Sequence, residues 1–204
     1  YPDLPYVLIG HSMGSYMSRK YASIYGDELD GVIFLGTGNQ PKAVVDSGLK
    51  LAHIAKLVRG ERYRSELLNT IMFGAYNKRI KDNRTANDWL TKDTKIVDEY
   101  LSDPKCSYKF TANAYIGFLN VIKYDIDKKN IAKTPDKLPV LFASGLEDPV
   151  GDYGKGVKKA FKMYTKYVDN VELYLYEDDR HELHSETDRE DIFSDLYEWI
   201  EENV

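Results

Sequence analysis

The residues Gly10-His11-Ser12-Met13-Gly14 set a hydroxyl between two glycines, where the apolar run at 6–9 gives way to a helical pattern. This G-x-S-x-G spacing is that of a nucleophile elbow, a sharp turn from strand into helix. The chemistry asks for a serine held in a strained backbone conformation with its hydroxyl exposed. Glycines at 10 and 14 are expected to let neighbouring backbone pass without Cβ clashes. The helix that follows aims its free N–H groups and the positive end of its dipole at the reacting centre. The Met13 N–H is then expected to donate to an oxyanion.

A serine hydroxyl is a weak nucleophile and needs a base that a carboxylate orients. The chain has four histidines. His11 lies inside the elbow, beside a hydroxyl that points away from it, and is expected to pack. His53 falls in a helical stretch and is expected at the surface or in packing there. His181 and His184 share the loop "EDDRHELHSE" that follows the run "VELYLY". His181 is the preferred base because it lies nearer the strand end, whereas His184 runs toward the last helix. Glu147, Asp148 and Asp152 stand in "LEDPVGDYG", just after "PVLFASG". Asp148 is the preferred carboxylate, since Pro149 keeps it out of helical geometry and stiffens the loop. Glu147 and Asp152 are expected to be solvated.

Buried strands must hold these loops at one rim. Runs at 6–10, 31–36 and 139–145 are nearly continuous in apolar residues and end in glycine, as parallel strands covered on both faces do. The run at 171–176 alternates and carries Glu172, which predicts a place nearer a sheet edge. Helical patterns separate the strands. One follows Ser12 to about Tyr25, another places Val157, Ala160, Phe161 and Tyr164 on one stripe, and a last one aligns Ile192, Leu196, Trp199 and Ile200. Thr187 with Glu190 predicts a capping box for that last helix. Strand and helix in alternation imply a parallel sheet with right-handed crossovers, an α/β fold. The interval from about 39 to 135 shows helical stripes, such as Tyr115, Phe118, Leu119 and Ile122, but no convincing strand. It is too long for a plain loop. It is expected to be a helical cap inserted over one edge of a sheet built from 1–38 and 136–204.

A length of 204 residues suits one domain with a sizeable core. The formal net charge of -5 argues against a general nucleic-acid binder. No apolar run approaches the roughly 20 residues that span a bilayer. The lone Cys106 cannot form an internal disulfide, which fits a reducing, cytoplasmic setting, and is expected to be a small buried hydrophobe. Residues 42–95 hold twelve Lys/Arg against six Asp/Glu, while 169–204 hold two against fourteen. The plain reading of the cationic stretch is a solvated helical face. The other is a surface that makes transient contact with anionic membrane headgroups. The chain opens on Tyr1 rather than Met, as a piece of something longer would.

The stretches "GHSMGS" at 10–15, "SGLEDPVGD" at 144–152 and "RHELHSETDREDIFSDLYEWI" at 180–200 resemble the α/β-hydrolase superfamily. The similarity is to its monoacylglycerol lipase, lysophospholipase and serine-aminopeptidase-like branch, whose cap the segment 89–111 also resembles. The resemblance implies Ser12 as nucleophile, His181 as base and Asp148 as its orienter, with no metal or organic cofactor. It implies hydrolysis of a lipid or other small carboxylic ester, of lysophospholipid or monoacylglycerol type, through an acyl-enzyme. A peptidase or amidase using the same residues is the alternative, and a non-catalytic fragment that binds a partner is a third. In this superfamily the elbow follows the fifth strand of an eight-stranded sheet, and an upstream loop with a His-Gly pair supplies a second oxyanion donor. This chain has no His-Gly pair and one strand before Ser12. It therefore looks like the carboxyl-terminal two-thirds of such a hydrolase, with the preceding segment of the same protein as its expected partner.

Overall fold

The computed structural model describes residues 4–81, 83–106 and 108–204. Tyr1, and Ser107 within the stretch 89–111, lie outside them. Among the described residues, Val7–His11 (β1), Gly31–Leu35 (β2), Val140–Gly145 (β3) and Val171–Tyr176 (β4) form one parallel sheet in the order β1-β2-β3-β4. The register sets His11 beside Leu35, Leu35 beside Ala143, and Ala143 beside Tyr174. The carboxyl ends of the strands thus share one rim.

Alternation along the central strands sends side chains to two cores. On one face Val32 and Phe34 of β2 and Val140 and Phe142 of β3 meet Ala22 of the helix Met13–Tyr25 (α1). Val157, Ala160 and Tyr164 of the helix Lys155–Tyr164, here α7, complete that core. Phe34, Phe142 and Tyr164 stack edge to face, with ring centroids 5.1–5.8 Å apart. On the other face Ile33, Leu35, Leu141 and Ala143 meet Ile192, Leu196 and Trp199 of the helix Arg189–Asn203, here α8. Covering both faces explains the continuous apolar runs of β2 and β3, because neither side of these two strands meets water. β4 is the far edge, half-buried along its whole length. Its Glu172 accepts a hydrogen bond from the Trp199 indole N–H at 2.8 Å, so a carboxylate in a strand satisfies a buried donor on α8.

Between β2 and β3 the chain runs through the helices Lys42–Arg59 (α2), Glu66–Phe73 (α3), Thr94–Ser102 (α4), Ala112–Asp125 (α5) and Lys128–Ile131 (α6). No strand interrupts them among the described residues. Four start on side-chain caps: the Ser65 hydroxyl accepts from Leu68 N–H, the Asp93 carboxylate from Lys95 and Ile96 N–H, the Thr111 hydroxyl from Ala114 N–H, and the Asp127 carboxylate from Lys129 N–H. Val45 and Leu49 of α2 pack with Leu119 and Ile122 of α5, and Tyr16 of α1 joins them. Ile131 of α6 is buried in the same core as Phe34. The end of the insertion therefore packs into the main core.

Three expectations fail. The run at 6–10 is not covered on both faces: Ile9 is exposed and Val7 and Leu8 are half-buried, because β1 is an edge strand among the described residues. The capping box of Thr187 and Glu190 does not form. The chain reaches α8 from a short 3-10 turn at Leu183–Ser185, and its N-cap is Asp188, which makes no side-chain capping bond. Asp188 sits at φ -108°, ψ 22°, short of the extended geometry that aims a capping oxygen at the first turn. Cys106 is half-buried in the turn after α4 rather than enclosed.

Candidate active site

Ser12 occupies the single residue between β1 and α1, at φ 54°, ψ -119°. A side chain there is strained, and surrounding bonds hold it. Its N–H donates to Leu35 O at 3.0 Å, and its own carbonyl accepts from Ser15 N–H at 2.9 Å and the Ser15 hydroxyl at 2.6 Å. A Cβ at Gly10 would stand 2.2 Å from Ser18 Oγ and 2.6 Å from Gly14 O, so only glycine fits. A Cβ at Gly14 would meet nothing within 4 Å among the described residues. The expected crowding belongs to the first glycine alone. Met13 opens α1, where a helix leaves its N–H without an intrahelical acceptor.

The structure brings Ser12, His181 and Asp148 together. His181 Nε2 lies 2.7 Å from Ser12 Oγ, and His181 Nδ1 lies 3.0 Å from Asp148 Oδ1. Asp148 is 0% exposed and His181 1%. An ionised carboxylate only accepts hydrogen bonds. The Nδ1–H of His181 therefore donates to Asp148, which leaves the Nε2 lone pair to accept the Ser12 hydroxyl. Asp148 Oδ1 also accepts from Val150 N–H at 2.8 Å, which fixes the carboxylate in its loop.

Two glycines make room for His181 and its loop. Gly36, at φ 57°, lies against the imidazole: a Cβ there would stand 3.1 Å from His181 Cε1 and Nδ1. Gly145, at the end of β3, lets the histidine loop pass directly over it, since a Cβ there would stand 2.1 Å from Asp179 O. Glu147, Asp152, His53 and His184 are exposed.

His11 does more than pack. Its Nε2 lies 3.1 Å from the His181 carbonyl, and its ring centroid lies 4.8 Å from those of both His181 and His184. Burial, and then the neighbouring His181, lower its pKa to about 3. A neutral His11 donates Nε2–H to that carbonyl and steadies the backbone of His181. Sequence reasoning also missed Trp89, whose ring lies 5.0 Å from the His181 ring and whose carbonyl accepts from His181 N–H at 3.4 Å. Its sole signal is the aromatic residue itself, since the contact joins positions some ninety residues apart.

A serine on a strand-to-helix turn, an acid after the third strand and a histidine after the fourth, on a parallel sheet between helices, define an α/β hydrolase. The family model described as serine aminopeptidase, S33, matches residues 1–188, and the chain belongs to that family. Among solved structures it is similar to a highly thermostable carboxyl esterase from Bacillus coagulans in complex with glycerol. That match has a TM-score of 0.91 at 28% identity and covers 100% of this chain and 66% of the other. A lipase in an open form matches with a TM-score of 0.86 at 29% identity, covering 98% of this chain and 66% of the other. A soluble variant of monoglyceride lipase from Saccharomyces cerevisiae, at 20% identity, shares the fold with a TM-score of 0.71, covering 99% of this chain and 63% of the other. The chain thus spans 63–66% of the length of these solved proteins. Comparison with curated proteins finds none that matches.

Proposed function

We propose that the protein is a serine ester hydrolase, acting on a lysophospholipid or monoacylglycerol type of substrate. The observation that carries this reading is the relay from Ser12 Oγ through His181 to Asp148, at 2.7 and 3.0 Å. Ser12 Oγ attacks the acyl carbonyl while His181 Nε2 takes the hydroxyl proton. The Met13 N–H, at the positive end of α1, donates to the oxygen that gains charge. The tetrahedral adduct expels the alcohol, which takes the proton from His181, and Ser12 is left acylated. Water then gives a proton to His181 and its oxygen to the acyl carbon. Release of the acid returns the proton to Ser12. Asp148 holds the imidazole in the required tautomer and stabilises it when charged.

The esterase and lipase relatives at 28–29% identity support an ester over other acyl substrates. The aminopeptidase in the family's description supports a second reading, cleavage of an aminoacyl amide by the same residues. On either reading the open edge of β1, with Ile9 exposed within it and Leu4 and Tyr6 exposed just before it, pairs with preceding strands of the same protein, and one of their loops supplies a second oxyanion donor.

A fluorophosphonate probe applied to the full-length protein tests the nucleophile. Wild type is expected to be labelled and Ser12→Ala not at all; equal labelling of both overturns the assignment. Comparing turnover of a short aryl ester, a monoacylglycerol and an aminoacyl anilide then separates the two substrate readings.

A further inference from the structure

Glu186 is fully buried, and a buried carboxylate persists only where donors surround it. Its Oε1 accepts from Arg180 N–H at 2.7 Å. Its Oε2 accepts from Lys92 N–H at 3.0 Å and faces the Thr91 hydroxyl at 3.0 Å, which shares its one proton with Ser185 O at 2.8 Å. One carboxylate therefore joins two stretches of chain that are far apart in sequence. Residues 179–186 carry the base, and residues 88–92 belong to the insertion between β2 and β3.

The same two stretches are joined all along their contact. Arg180 Nη1 donates to Asp88 O at 2.6 Å and Thr91 O at 3.0 Å. His181 N–H donates to Trp89 O, and Glu182 N–H to Leu90 O at 2.7 Å. The Lys92 ammonium pairs with the buried Asp179 carboxylate. Asp88, Trp89, Leu90 and Thr91 are themselves buried, although the segment has no helix or strand of its own. Residues 88–92 thus form a strap across the loop that bears the base. The strap ends against the imidazole, where Trp89 sets its ring.

We propose that Glu186 is a positioning residue for His181: it clamps the amide just before His181 to the strap, and so sets where the imidazole stands relative to Ser12. It touches no reacting atom. Its importance lies in its donors, because Arg180 N–H and Lys92 N–H both need an acceptor and only a carboxylate presents one on each side. The amide of glutamine would turn an NH2 group toward one of them, and the loop would shift to relieve two donors that face each other. A base displaced by a fraction of an ångström transfers its proton poorly. The strap further makes the placement of the base depend on the insertion, so that a shift of one is felt by the other.

This inference rests on the hydrolase reading for its kinetic test and on geometry alone for its spectroscopic one. In the full-length protein, Glu186→Gln is expected to lower kcat on an aryl ester by roughly 10- to 100-fold with KM within about threefold. Fluorophosphonate labelling of Ser12 should slow in parallel. The low-field proton resonance of His181 Nδ1–H should move, although Glu186 lies outside hydrogen-bonding contact with His181. Thr91→Val, which removes the hydroxyl from the strap side, should act in the same direction and more weakly. An unmoved resonance with kcat within about twofold of wild type overturns the proposal, as does a rise in KM alone. If Glu186→Gln does not fold, Thr91→Val decides by the same readouts. Absence of Ser12-dependent turnover in wild type counts against the hydrolase reading, and the resonance still judges Glu186.

Discussion

With its pKa lowered to about 3, His11 stays uncharged wherever His181 is to act as a base. A positive charge 4.8 Å from the His181 ring would oppose the imidazolium that His181 must form in the proposed mechanism. The neighbour of the proposed nucleophile thus contributes by remaining neutral and holding the His181 carbonyl. His11→Ala removes that bond and should lower kcat by about 2- to 10-fold. His11→Asn, which keeps a donor, should recover most of it, as steady-state kinetics will show. Gly36 makes the complementary demand. Gly36→Ala puts a Cβ into left-handed backbone at a cost of about 1–2 kcal/mol and sets it 3.1 Å from the imidazole. Chemical denaturation should read that modest loss of stability. Turnover of the proposed ester substrate should fall by more than the fraction unfolded accounts for, because the group displaced is the imidazole proposed as base.

At the scale of elements, what the sequence discloses is local. The strands at 31–35, 140–145 and 171–176 are legible because burial on two faces leaves an uninterrupted or alternating apolar run, and the loops after them are legible as strand ends. Ser12, Asp148 and His181 could be chosen for that reason. The strap is not legible. Nothing periodic marks Asp88–Thr91, and its partners lie about ninety residues away. The capping box fails for a related cause. Thr187 and Glu190 have the right spacing, but Ser185 and Glu186 are already bound to Thr91, and that contact fixes how the chain enters α8. Glu172 signals the edge position of β4 in the sequence, but its donor on α8 shows only in the structure. Glu172→Leu should therefore destabilise the fold by about 1–3 kcal/mol, because it strands the Trp199 indole N–H, whereas Glu172→Gln should be nearly neutral. Urea midpoints of the two variants, with unchanged slopes, are the measurement.

Across the whole molecule, two buried groups pull stability in opposite directions as pH changes. Asp125 is 2% exposed, and its carboxylate oxygens find no hydrogen-bond partner among the described residues. Burial raises its pKa to about 7, with Arg19 pulling the other way. Unfolded, it titrates near 3.8, so between about pH 4 and 7 the folded state holds the extra proton and stability falls as pH rises. His11 does the reverse. It accepts a proton near pH 6.5 when unfolded but only near 3 when folded, so stability falls as pH drops through that window. Each slope reaches at most about 1.4 kcal/mol per pH unit. Where they overlap, from about pH 4 to 6.5, they largely cancel. Relative to wild type, Asp125→Asn should lose stability more steeply on acidification below about pH 6.5. His11→Asn should instead gain on going from pH 7 to 4. Urea unfolding across a pH series distinguishes them, and parallel curves for both variants would contradict the assignment.

The second strand, β2, lends no reacting side chain, yet it lies between the strand that leads to Ser12 and the two that lead to Asp148 and His181. Main-chain hydrogen bonding fixes its width at about 4.8 Å per neighbour, whatever side chains it carries. It serves as a gauge block: the gap between hydroxyl and imidazole is measured out in peptide spacing, which side-chain flexibility cannot blur. Tolerance to substitution should follow from this, with the inert middle strand forgiving changes of chemistry and punishing changes of thickness.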